Sequence, residues 1–137
     1  MDFPLWNELP DIGLYMDQVM TLMERVFGCM PGVGGITKSM VNNYVKAGLI
    51  KRPSGKRYDR DQLAQLITVA VLKQALSMEE IAKVLTLLCE QSVEDGYARF
   101  CAAFAEGQPL GEADDAVTAA IIAALCVMRA KARIAAL

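Results

Sequence analysis

Seven of the fourteen Lys and Arg residues fall between Thr37 and Arg60: Lys38, Lys46, Lys51, Arg52, Lys56, Arg57 and Arg60. Asp59 is the one acid of sixteen inside that stretch, so the segment carries +6 while the rest of the chain carries −8. Ammonium and guanidinium groups at this density suit a polyanion. Salt screens surface fields beyond about 10 Å, so a phosphate backbone feels this local charge and not the overall −2. The same stretch holds Ser39, Asn42 and Asn43. Asn is a side chain able to bond both N6 and N7 of adenine, and Lys can hold phosphate or guanine.

Other chemistries lack their residues. The chain has no His, which removes the commonest general base, the commonest metal ligand and any Ser-His or Cys-His nucleophile pair. No cluster of carboxylates or lysines replaces them, so no enzyme, no catalytic residue and no cofactor is expected. Cys29, Cys89, Cys101 and Cys126 form no C-x-x-C pair and suit a reducing, cytoplasmic setting without a metal site. Cys29, in a glycine-rich loop, is the thiol to test for reactivity, and Cys89, Cys101 and Cys126 fall on inner or apolar faces. The loop ahead of Lys38-Ser39 has no Gly directly before the Lys and no strand leading in, unlike a phosphate-binding loop. The most apolar stretch, Ala116 to Met128, spans 13 residues, short of the roughly 20 that cross a bilayer. The start Met1-Asp2-Phe3-Pro4 shows no basic segment of a secretory signal. No membrane association is expected, and no effector can be named.

The elements that position the basic stretch follow from apolar spacing and caps. A helix is predicted from Asp11 to Phe27, with Ile12, Tyr15, Met16, Val19, Met20, Met23, Val26 and Phe27 recurring at helical intervals. Gly28 ends it, and a loop through Gly35 follows. A second helix over 37–47 turns Met40, Val41, Tyr44 and Val45 inward and leaves Lys38, Ser39, Asn42, Asn43 and Lys46 outside. Pro53-Ser54-Gly55 between short flanks predicts a small β-hairpin, a wing, over 50–58. Asp59 with Gln62, and Ser77 with Glu80, read as capping boxes opening a third and a fourth helix. Ser92 opens a fifth, with Tyr97, Phe100, Cys101 and Phe104 on one face. After a break at Gly107–Gly111 a last helix runs from about Glu112 to Ala136. Its stripe Val117, Ile121, Leu125 and Met128 suits either core packing within the chain or a seam with a second copy. The expectation is one domain over 1–137, all-α with one small wing: a winged helix-turn-helix part over 11–89 and a C-terminal helical part over 90–137.

Thr37-Lys-Ser-Met-Val-Asn-Asn-Tyr-Val-Lys-Ala-Gly-Leu-Ile50, the basic turn closing at Tyr58, Gln62-Leu63, and Leu76-Ser-Met-Glu-Glu-Ile81 resemble the MerR-type winged helix-turn-helix. Leu14-Tyr-Met-Asp-Gln-Val19, Ser39 to Lys46, Lys56-Arg-Tyr58 and Leu72 to Ser77 resemble more closely a bacterial family catalogued only as domain of unknown function 1836. The MerR resemblance implies a homodimer on double-stranded DNA, with the second helix in the major groove and the wing on the backbone. Tyr44, Gly48 and Leu49 match that family's Tyr-x-x-x-Gly-Leu. Tyr58 matches the tyrosine closing the wing, with Lys56 or Arg57 for the wing arginine. Asn42 and Asn43 stand where that family carries arginine and tyrosine.

The reading that joins these is a DNA-binding transcriptional regulator. Lys38, Ser39, Asn42 and Asn43 read bases, Lys46, Lys51, Arg52, Lys56 and Arg57 hold phosphates, and Tyr44 and Tyr58 belong to the same site. The alternative is an adaptor that uses the same scaffold to hold an acidic protein partner, since fold does not fix function.

Overall fold

The computed structural model describes residues 3–28, 30–106 and 115–137. Among them the chain forms one 3-10 turn at Trp6–Glu8 and six helices. These are α1 (Met16–Phe27), α2 (Lys38–Lys46), α3 (Arg60–Leu72), α4 (Met78–Leu88), α5 (Val93–Glu106) and α6 (Ala116–Ala135).

The core is built around α3. Ten of its thirteen residues are buried, Gln62 to Ala64 and Leu66 to Leu72, because α5 and α6 pack on it and on each other. The inner face read from the sequence (Leu63, Leu66, Ile67, Ala70, Val71) is thus only part of a helix that is apolar nearly all round, the mark of a helix enclosed on several sides. Val117, Ile121, Leu125 and Met128 of α6 are buried in this same core, so that stripe is closed off within the chain. The N-terminal segment, which periodicity left unassigned, covers α5. The Phe3 ring lies 5.8 Å from Phe27, 5.4 Å from Phe100 and 4.6 Å, edge-on, from Phe104. The Tyr97 hydroxyl donates to the Pro4 carbonyl at 2.6 Å. Aromatic pairs at such distances add about 0.5–1.5 kcal/mol each beyond their buried area.

The two capping boxes are those expected. Asp59 accepts from the Gln62 N–H at 2.9 Å while Gln62 Oε1 accepts from the Asp59 N–H at 2.7 Å. Ser77 and Glu80 make the same reciprocal pair at 3.2 and 2.8 Å. Thr37 Oγ1 accepts from the Met40 N–H, and Ser92 Oγ from the Asp95 N–H. Asp115 caps α6 directly before Ala116, while the expected start at Glu112 and the break at 107–111 lie outside the described residues.

Two expectations need correction. The first helix begins at Met16, not Asp11. Leu14 exchanges both backbone bonds with Tyr58 (2.9 and 2.8 Å), which holds residues before α1 extended and leaves Ile12 exposed. There is also no β-wing, and the fold is all-helical without strands among the described residues. Residues 54–57 make a tight turn closed by Arg57 N–H to the Ser54 carbonyl at 3.0 Å, with Gly55 and Lys56 at φ 57° and 62°. The flanks cannot extend this into a ladder. Pro53 has no N–H, the Tyr58 backbone is committed to Leu14, and the Asp59 N–H and Lys51 carbonyl both go to the Gln62 side chain. The MerR-like winged architecture is overturned with it.

Candidate nucleic-acid interface

α2 is amphipathic across a sharp line. Val41 and Tyr44 are buried and Met40 and Val45 partly so, whereas Lys38, Ser39, Asn42, Asn43 and Lys46 are exposed. Helical spacing sets Lys38, Asn42 and Lys46 in one row, with Ser39 and Asn43 beside it. Lys38 Nζ donates to Asp17 Oδ1 of α1 at 2.8 Å, and this bond holds the Asp17 carboxyl below its usual range.

After α2 the chain turns at Gly48, and Leu49 and Ile50 sink into the core. Two anchors then fix the basic loop. Gln62, almost fully buried, donates from Nε2 to the Lys51 carbonyl at 2.9 Å, and Leu14 holds Tyr58. Between them Lys51, Arg52, Lys56 and Arg57 are exposed, with Lys56 carried at the tip of the tight turn. The Arg57 Nε–H donates to the Tyr15 hydroxyl at 3.0 Å, and its guanidinium stands 5.0 Å from that ring's centre. Lys51, Arg52, Ser54 and Arg57 meet around a cleft of about 200 Å3, together with Gly13, Asp59 and Gln62.

Of the seven cations in this stretch, two are engaged by carboxylates: Lys38 by Asp17, and Arg60 by Asp11 at 3.8 Å, with Arg60 also over the Trp6 ring. Lys46, Lys51, Arg52, Lys56 and Arg57 make no salt bridge among the described residues, although the charge of Lys51 is felt by the Asp61 carboxyl, whose pKa it lowers against the larger upward push of burial and Asp59. The arrangement offers amide, hydroxyl and ammonium groups on a helix face and exposed cations free of salt bridges on the loop next to it.

Tyr44 and Tyr58 do not belong to this surface. Tyr44 is fully buried with its hydroxyl unpaired, Lys73 Nζ lies 5.2 Å from its ring centre, and burial pushes its pKa up. Tyr58 is 4% exposed. Their place in the motif is structural: they seat α2 and the loop on the core. Tyr15, Asp17 and Gly13 are the neighbours that spacing did not reveal, since Tyr15 and Arg57 are 42 residues apart.

Cys89, Cys101 and Cys126 take no part. Cys89 and Cys101 are half-buried, and burial raises both thiol pKa values, which keeps them protonated and poorly nucleophilic. Cys126 is exposed, contrary to its expected apolar placement, because it falls on the outer side of α6. Cys29 lies outside the described residues. Among the described residues no group of three or more Cys, Asp or Glu comes together that could hold a metal ion, and no helix is long and apolar enough to cross a membrane.

Comparison with curated proteins and with solved structures gives no match. A family model described as "Domain of unknown function (DUF1836)" matches residues 4–103, which takes in α1 to α4, the basic loop and most of α5. The chain thus belongs to the domain of unknown function 1836 family.

Proposed function

We propose that the protein binds double-stranded DNA, laying the outer face of α2 in the major groove and the basic loop 50–58 on the flanking backbone, as a transcriptional regulator would. The observation that carries this reading is the set of five exposed cations, Lys46, Lys51, Arg52, Lys56 and Arg57, none of them held in a salt bridge among the described residues, beside a helix that offers Ser39, Asn42 and Asn43. Unpaired cations cost little to bring against phosphate, because no internal ion pair must first be broken. A reader of two half-sites works as a pair of copies in the cytoplasm, and that pairing surface lies elsewhere than the buried α6 stripe.

Fluorescence anisotropy with a labelled duplex tests the reading. Neutralising about five phosphates gives a log–log salt slope near −4.5. Lys56→Glu combined with Arg57→Glu should abolish binding while leaving the folded helical spectrum unchanged. A flat salt response, or full affinity in the double variant, would return the surface to the adaptor reading.

A further inference from the structure

The cleft that brings Lys51, Arg52, Ser54 and Arg57 together holds three cations against one acid, and Asp59 Oδ1 already accepts from the Gln62 N–H. Arg57 is oriented inside it by two neighbours. Its Nε–H is committed to the Tyr15 hydroxyl, with the guanidinium close to the Tyr15 ring. Its stem lies flat on Gly13: a Cβ at that position would stand 2.8 Å from Arg57 Cβ and 2.9 Å from Cδ. What remains of the guanidinium is its terminal pair of nitrogens, four N–H groups without a protein partner among the described residues. A planar fork with its Nε tied back is the geometry that grips two oxygens of a phosphate at once.

We propose that this cleft is a phosphate-group site, gripped by Arg57 and aimed by Gly13 and Tyr15 as positioning residues, with Lys51 and Arg52 supplying the neighbouring charge. The inference rests on the DNA reading and deepens it: the group seated here is one phosphodiester of the duplex backbone. It differs from general cationic attraction because two uncharged residues carry part of the affinity.

The probe is inorganic phosphate, exchanged for chloride at constant ionic strength, with the Arg57 Nε–H and the Gly13 and Ser54 amides followed by NMR. A saturable shift confined to these resonances is the expected result. Tyr15→Phe keeps the ring and the charge but removes the acceptor, and Tyr15 is half-exposed, so folding is not at stake. It should weaken phosphate and duplex binding alike by about fivefold, the scale of one hydrogen bond, without altering the salt slope. Arg57→Lys, which keeps the charge and loses the fork, should lose at least as much. Gly13→Ala should displace the Arg57 resonance even without ligand. Silent cleft resonances in the wild type, or wild-type affinity in both Tyr15→Phe and Arg57→Lys, would overturn the site. Duplex binding with a silent cleft removes this inference and leaves the DNA reading standing. Phosphate in the cleft with no affinity for duplex does the reverse, and makes free phosphate compounds the ligand.

Discussion

Gln62 joins the two halves of the candidate site through a single buried amide. Its oxygen satisfies the Asp59 N–H at the start of α3, and its nitrogen satisfies the Lys51 carbonyl at the start of the basic loop. Gln62→Ala leaves both backbone groups without partners and should cost about 2 kcal/mol in urea denaturation, at roughly 1 kcal/mol per bond. Gln62→Glu keeps the acceptor and loses the donor, and should fall between the two. Both variants should also weaken duplex binding, since Lys51 and Arg52 are then no longer held beside Arg57. Tyr44 gives the opposite case. Its hydroxyl is buried and unpaired, so Tyr44→Phe removes an uncompensated polar group, and stability should hold or rise by about 1 kcal/mol. Duplex affinity should stay the same, because the side chain is sealed under α2. A loss of DNA binding in Tyr44→Phe would show that α2 opens to expose it.

Between α1 and α2 the exposed Lys38–Asp17 bond sets how much charge the outer face of α2 presents. Asp17→Asn should free Lys38 for phosphate, raise duplex affinity and steepen the salt slope by about one unit of log–log slope. Stability should barely move, as exposed ion pairs contribute little. At the start of α4 the Ser77 N–H and hydroxyl hold the Glu80 carboxyl below its ordinary 4.5. A depressed folded pKa means that the contribution is complete above 4.5 and is lost as pH falls through the lower folded value. The stability gap between wild type and Glu80→Gln, present at pH 7, should therefore close in acid, as a series of urea titrations would show. These caps were legible in the sequence because their chemistry is local: Asp59 with Gln62 and Ser77 with Glu80 are three residues apart. The division of α2 into buried and exposed faces was legible for the same reason. The absent wing was partly legible, since Pro53 lacks the N–H that a ladder needs. The competing claims on Tyr58 by Leu14 and on Asp59 by Gln62 decided the matter, and the first of these spans 44 residues. Tyr15 under Arg57 was hidden by distance in the same way. Phe3, Trp6 and Leu9 did leave a signal at three-residue spacing ahead of α1, on the side of the chain that α5 covers.

For the whole molecule, α6 ties the loop before α2 to the core instead of hanging beyond it. The loop between α1 and α2 reaches the last turns of α6 at Gly32, where an added Cβ would lie 2.5 Å from the Lys131 carbonyl oxygen and 2.9 Å from its carbon. Gly32 is also at φ 75°, a conformation that costs an L-residue about 1 kcal/mol or more. Lys131 in turn donates from Nζ to Gln74 Oε1 at 2.8 Å, so the same turn of α6 holds the loop before α2 and the link between α3 and α4. Gly32→Ala must displace backbone, not a flexible side-chain end, and should destabilise by about 2 kcal/mol. For a domain of this size that is a fall in Tm of about 8 °C. Gly34→Ala and Gly35→Ala, in the same loop but with open space around them, should be neutral or slightly stabilising. The contrast separates docking from loop entropy. If all three alanines behave alike, the loop is not seated on α6, and the orientation of α2 must be set by the Leu14–Tyr58 pairing and the core alone. If only Gly32→Ala is costly, a weaker salt slope in that variant would show that the packing of α6 governs how the cationic face is presented.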